Sequence, residues 1–115
     1  MAILEQKKLR SLPDSSIETT LSFLNNKWTV LILRDLMGGT MRFSELQRSI
    51  GTISQKALTT QLRTMEENGL LTRKAYAEVP PRVEYTLTKL GESMRPVLEA
   101  MDAWGTLYKK KLSGR

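Results

Sequence analysis

Between Lys27 and Met37 the chain places Trp28, Val30, Leu31, Ile32, Leu33 and Leu36, so a helix there is apolar on nearly all sides. A helix at a protein surface carries one apolar stripe, whereas one that is apolar all round must be enclosed by other elements. This segment is therefore expected to be the buried centre of the fold. A chain of 115 residues has room for one compact domain around such a centre and none for a second. The expectation is a single domain over residues 1–115.

The neighbouring elements follow from start and stop signals. Residues 1–14 are polar and weakly periodic, and read as an N-terminal arm. Ser15-Ser16-Ile17-Glu18 has the pattern of a capping box, and Ile17, Leu21 and Leu24 then recur at helical spacing. Asn25-Asn26 breaks this first helix, and Asn26 can cap the central one. Gly38-Gly39 ends the central helix, and Met41-Arg42 is a candidate short edge strand. Phe43, Leu46 and Ile50 give one face of a third helix. Gly51-Thr52-Ile53 forms a tight turn, and Ser54 caps a fourth helix that stops at Gly69. Val83, Tyr85 and Leu87 alternate with Arg82, Glu84 and Thr86, which is the period of a half-buried strand. Pro80-Pro81 separates this strand from another over Leu70–Tyr76. Prolines cannot sit in a central ladder, so they mark the tip of a hairpin. Thr88 caps a last helix, residues 88–112, with Pro96 predicting a kink. Helix, helix, turn, helix, hairpin, helix is the order of a winged helix-turn-helix: mainly α, with a small β-hairpin.

Composition removes several functional classes. The sequence has no cysteine and no histidine, so thiolate metal sites, thiol sensing and the commonest general base are excluded. Glu66 and Glu67 are neighbours on a helix and diverge rather than pair. With no phosphate-cradling glycine loop either, the chain is not expected to be an enzyme or to carry a metal or cofactor. No apolar run approaches the roughly 20 residues that span a bilayer, and Met1–Arg10 lacks the apolar core of a signal peptide. A cytoplasmic protein that does not enter membranes is expected.

The net charge is +6, but the excess sits at the ends, in Lys7, Lys8, Arg10, Lys109, Lys110, Lys111 and Arg115 against Glu5. The stretch between them balances its charges, so a nucleic-acid reading must rest on architecture rather than on charge. In the fourth helix Ile53, Leu58, Leu62 and Met65 take the core side. Ser54, Gln55, Lys56, Thr59, Thr60 and Arg63 supply donors and acceptors suited to base edges and phosphates. A plain solvated face is the rival reading of that helix alone. Arg73, Lys74, Tyr76 and Arg82 surround the hairpin and read as a DNA wing, the rival being an ordinary charged hairpin. Lys27 and Arg42 are further phosphate-contact candidates. The last helix carries Val97, Leu98, Met101, Trp104, Leu107 and Tyr108 on one stripe. A two-fold partner would cover it, with Ile17, Leu21 and Leu24 adding to the interface; the rival is packing within the monomer.

These residues, taken in order, resemble the HxlR-type family of winged-helix regulators, which is related to the MarR-type proteins. The resemblance is carried by Ile17–Leu21, Lys27-Trp28, Leu31–Leu36, Arg42–Leu46, Ile53–Thr59, Leu62-Arg63, Glu67–Arg73 and Val79–Thr88. It runs from about Ser15 to Gly105. It implies a homodimer joined through the first and last helices and binding specific duplex DNA sequences near promoters, as repressor or activator. It places Ser54 to Arg63 at the major groove and Tyr76 to Arg82 at the wing. Many relatives carry a cysteine just before the first helix, where this chain has Ser15 and Ser16, so sensing by that thiol is not available. A small-molecule effector remains open, with a pocket between the winged core and the terminal helices as its place. A winged helix used for protein contacts, without sequence-specific DNA binding, is the alternative reading.

Overall fold

The computed structural model describes residues 11–114. Most of the arm assigned to residues 1–14, with Lys7, Lys8 and Arg10, lies outside the described residues. The first helix, α1 (Ser16–Phe23), starts where Ser15 Oγ accepts the Glu18 N–H at 3.3 Å. Asn26 then caps α2 (Lys27–Leu36), its Oδ1 accepting the Thr29 N–H at 3.1 Å. A short strand, β1 (Met41–Arg42), runs directly into α3 (Phe43–Ile50), whose first turn is closed by the Arg42 N–H donating to Glu45 Oε1 at 2.7 Å. The turn to α4 (Gln55–Glu67) passes through Gly51 at φ +84°, a backbone conformation that side-chain-bearing residues rarely adopt. Ser54 Oγ caps α4 by accepting the Ala57 N–H at 3.0 Å.

Two strands follow, β2 (Leu71–Tyr76) and β3 (Arg82–Leu87), antiparallel and in register from Leu71 opposite Leu87 to Tyr76 opposite Arg82. Strand β1 pairs with the other edge of β3, with Met41 opposite Tyr85, giving a three-stranded sheet in the order β1-β3-β2. The core lies between this sheet and the helices. Ile32, Leu33 and Leu36 of α2 meet Leu46 of α3, Leu58, Leu62 and Met65 of α4, and Leu71 and Tyr85 of the sheet, all buried.

The structure corrects the sequence reading in two places. The single kinked helix expected over 88–112 is two helices, α5 (Lys89–Glu92) and α6 (Arg95–Ser113). Pro96 falls in the first turn of α6. Its missing N–H is one of the donors a helix start leaves unused, so the proline begins a helix instead of bending one. The central helix is also less enclosed than its composition predicts. Ile32, Leu33 and Leu36 are buried, but Val30 and Leu31 are only half-buried.

The α5 helix is short because it is pinned. Thr88 Oγ1 accepts the Gly91 N–H and donates to the Gly69 carbonyl, while the Thr88 N–H donates to the Leu70 carbonyl at 3.0 Å. A Cβ at Gly91 would lie 2.1 Å from the Leu70 carbonyl oxygen. Glycine is required there for α5 to close on the junction of α4 and β2.

Candidate nucleic-acid interface

Buried Leu58, Leu62 and Met65 anchor α4 and fix which of its sides faces outward. Gln55, Lys56, Thr60 and Arg63 are exposed, and Thr59 is half-buried at the edge of the face. Two of these side chains are already engaged. Thr59 Oγ1 donates to the Gln55 carbonyl at 2.8 Å, and Thr60 Oγ1 to the Lys56 carbonyl at 3.0 Å. Their hydroxyl protons are used within the helix, so what they offer a ligand is lone pairs. Ser54 is held as the cap. Gln55, Lys56 and Arg63 therefore bring the donors of this face.

A groove of about 720 Å³ runs between α4 and the hairpin. Gln55, Thr59 and Arg63 line it from the helix, and Arg42, Arg73 and Arg82 from the sheet. Arg42, Arg63 and Arg73 against Glu66 make the groove electropositive, while Arg82 is paired with Glu78 and Glu84. Lys56 and Thr60 lie on α4 outside its walls. Lys27 lies elsewhere, at the start of α2, with its Nζ 4.6 Å from the centre of the Trp28 ring. Ser44 also lines the groove from the first turn of α3. Sequence reasoning missed it because it carries no charge; its place beside Arg42 at a helix start, where backbone N–H groups are unpaired, is the signal that points to it.

The register of the hairpin separates the wing residues into two sets. Residues directly opposite share a face. Arg73 lies opposite Tyr85 and so shares the face of that buried ring, whereas Lys74 lies opposite Glu84 and Tyr76 opposite Arg82 on the other face. Arg82 is heavily engaged: its Nη1 donates to Glu84 at 3.2 Å, its Nη2 to Glu78 at 3.3 Å, and its guanidinium carbon lies 3.8 Å from the Tyr76 ring centre.

The terminal helices leave a broad apolar face uncovered. Trp104 is 64% exposed and Ile17 74%, with Leu21, Met101, Leu107 and Tyr108 also exposed. Trp104 and Tyr108 stack with ring centres 5.4 Å apart. Of the residues assigned to this face, Leu24 and Leu98 instead pack partly against the core, and Val97 is half-buried. Leu112, exposed near the end of α6, extends the face and was not anticipated.

A helix, a glycine turn, a second helix with an outward polar face, and a hairpin beside it make a winged helix-turn-helix. The family model for HxlR-like helix-turn-helix proteins matches residues 23–113, from the end of α1 through α6. The chain belongs to the HxlR-like family of helix-turn-helix transcription regulators. Among relatives of this HxlR-like regulator, the HTH-type transcriptional regulator YkvN of Bacillus subtilis is 47% identical over 91 residues, covering 79% of this chain and 77% of YkvN. The HTH-type transcriptional regulator BH0655 of Halalkalibacterium halodurans is 41% identical over 107 residues, covering 91% of this chain and 95% of the relative. Among solved structures, the redox regulator HypR in its reduced form superposes with a TM-score of 0.79 at 36% identity, covering 86% of this chain and 98% of that one. Reduced YodB of B. subtilis gives 0.70 at 36% identity, covering 81% and 91%. Thiol chemistry does not extend from a redox regulator to this HxlR-like chain, which has no cysteine.

Proposed function

We propose that this regulator acts as a homodimer that recognises a two-fold symmetric sequence in duplex DNA, placing α4 in the major groove and the β2–β3 wing against the flanking backbone and minor groove. The observation that carries the reading is the electropositive groove in which Gln55, Thr59 and Arg63 of α4 face Arg42 and Arg73 of the sheet. A helix rich in donors beside a cationic hairpin supplies base readout and phosphate anchoring from one surface. Ser54, Lys56 and Thr60 extend that surface along α4, with Lys74, Tyr76 and Arg82 on the wing. Lys27 is the phosphate candidate with least support, since it lies away from the groove.

The dimer is supported by the apolar face of α1 and α6. An exposed Trp104 stacked on Tyr108, continuous with Met101 and Leu107, is costly to leave in water, and a second copy covers it by symmetry. Whether bound DNA leads to repression or activation is set by where the operator lies relative to the promoter. No described helix is long and apolar enough to cross a membrane, in keeping with action in the cytoplasm, where the DNA is.

Selection of bound duplexes from a random pool tests the proposal. The expected outcome is a palindromic motif whose half-sites lie about one helical turn, roughly 34 Å, apart. Recovery of no motif, with binding that disappears as salt rises, would leave only charge-driven contact and favour a winged helix that binds protein instead.

The proposal extends to an effector site. A cleft of about 510 Å³ opens between α2 and α6, lined by Val30, Met37, Leu98 and Met101 with Arg34 and Arg95 at its edge. Its volume falls within the range of about 300–1,000 Å³ common for small-molecule sites. A ligand there would touch α2 of the winged core and α6 of the dimer face together.

A further inference from the structure

Arg82 is the wing cation nearest the hairpin tip, and the structure leaves it little freedom to reach a phosphate. Its two terminal nitrogens are held by Glu78 and Glu84, and its plane lies against the Tyr76 ring. Its side chain is 24% exposed, and its Nε is buried without an acceptor. Two carboxylates balance and exceed the charge of this guanidinium, so the cluster offers DNA no net positive charge. What the cluster does is brace the loop. It ties Tyr76, the last residue of β2, and Glu78 in the loop to Arg82 and Glu84 at the start of β3, across Pro80 and Pro81.

At the tip of this braced loop stands Val79, 100% exposed. Val79 and the two prolines after it make a knob that is apolar and held in shape, and Pro80 and Pro81 line the same groove as Arg63 and Gln55. A loop tip with no role in DNA contact is ordinarily polar.

We propose that the wing engages the minor groove through Val79, packed against sugar and base edges as an apolar wedge, and that Arg82 is a positioning residue that stiffens the wing rather than a phosphate contact. The inference rests on the DNA-binding reading above and names the residue that carries the wing's share of it. Apolar wedges between or against base steps are an established mode of minor-groove binding, and they contribute affinity without releasing counterions. Rigidity matters because an already ordered tip loses less freedom on binding.

The test is operator affinity as a function of salt, using the selected duplex and full-length protein. Val79→Ala removes two methyl groups from a fully exposed side chain, so the fold is untouched. It is expected to weaken binding about fivefold to tenfold, with the slope of log affinity against log salt unchanged. Arg82→Gln should also leave that slope unchanged while weakening binding through a looser wing, and Arg82→Lys should not restore it, since an ammonium cannot bridge both carboxylates in the plane of the ring. Thermal melting confirms that each variant is folded. Val79→Ala binding as tightly as wild type overturns the inference. So does a slope reduced by about two in Arg82→Gln, one for each protomer of the dimer, which would make Arg82 a phosphate contact. Lys56→Ala serves as the control. If it weakens binding while Val79→Ala does not, the wing inference alone fails; if neither matters, the assignment of this surface to DNA fails.

Discussion

Lys56 and Arg63 stand about two turns apart on the outward side of α4, and neither makes an ion pair within 4.0 Å among the described residues. Their charge is free for a ligand, in contrast to that of Arg82. Lys56→Ala or Arg63→Ala is therefore expected to weaken operator binding by about 1–3 kcal/mol each, with an unchanged melting temperature because both are exposed. Electrophoretic mobility shift against the selected operator checks this, and equal affinity in both variants would remove α4 from the interface. A different residue-scale constraint sits at Gly91, where an added Cβ meets the Leu70 backbone. Backbone cannot rotate away as a long side chain can. Gly91→Ala should cost about 1–3 kcal/mol of stability, read as a lower midpoint in urea with an unchanged slope. Nothing in the sequence singles out this glycine, because the contact joins two segments some twenty residues apart.

At the scale of elements, α4 and α6 are both amphipathic, and their fates differ. The apolar side of α4 finds α2 and the sheet and is fully buried. The stripe on α6 has no buried residue, since the helix projects from the body. Leu98 near its start touches the core; Trp104 and the residues after it do not. Trp104→Ser should accordingly shift the oligomer toward monomer while leaving the monomer's fold intact, whereas Leu98→Ala, at a half-buried position, should lower monomer stability by about 1–2 kcal/mol. Sedimentation velocity over a range of concentrations separates the two effects. A wild-type protein that is monomeric at micromolar concentration would refute the interface. The hairpin shows how far element-level reading goes. Alternation in β3 gave the inward side Val83, Tyr85 and Leu87, of which Tyr85 is buried and the other two pack partly against the core, but the two faces of the wing cations follow from the register of β2 on β3.

For the molecule as a whole, the charge pattern separates two kinds of DNA binding. The net charge of +6 comes from the termini, with Lys109, Lys110 and Lys111 at the end of α6, while the winged core brings Arg42, Arg63 and Arg73 together at one groove. Replacing these three lysines with glutamine removes six charges from the dimer, and should lower affinity for unrelated duplex strongly and reduce its salt slope by up to about five. Operator affinity should fall less, so the specificity ratio rises. Competition binding with operator and random duplex at two salt concentrations measures both. A uniform loss on every sequence, equal to that on the operator, would show that the tails rather than the groove dominate recognition.

What the sequence determined by itself is the order of the elements and the side of each that turns inward. Helical and strand periods, caps at Ser15, Asn26 and Ser54, the turn at Gly51 and the prolines at 80–81 are local signals, and local signals act through neighbouring residues whatever the rest of the chain does. Tertiary structure decided the relations between distant segments. It set β1 beside β3, split the last helix so that Pro96 starts one, and required a bare Cα at Gly91. It also left the far side of α2 partly open and bound Arg82 to Glu78 and Glu84. Each of these depends on which atoms meet across space. A pattern of apolar and polar residues states that a side chain must find cover or a counter-charge, but the partner that provides it exists only once the chain is folded.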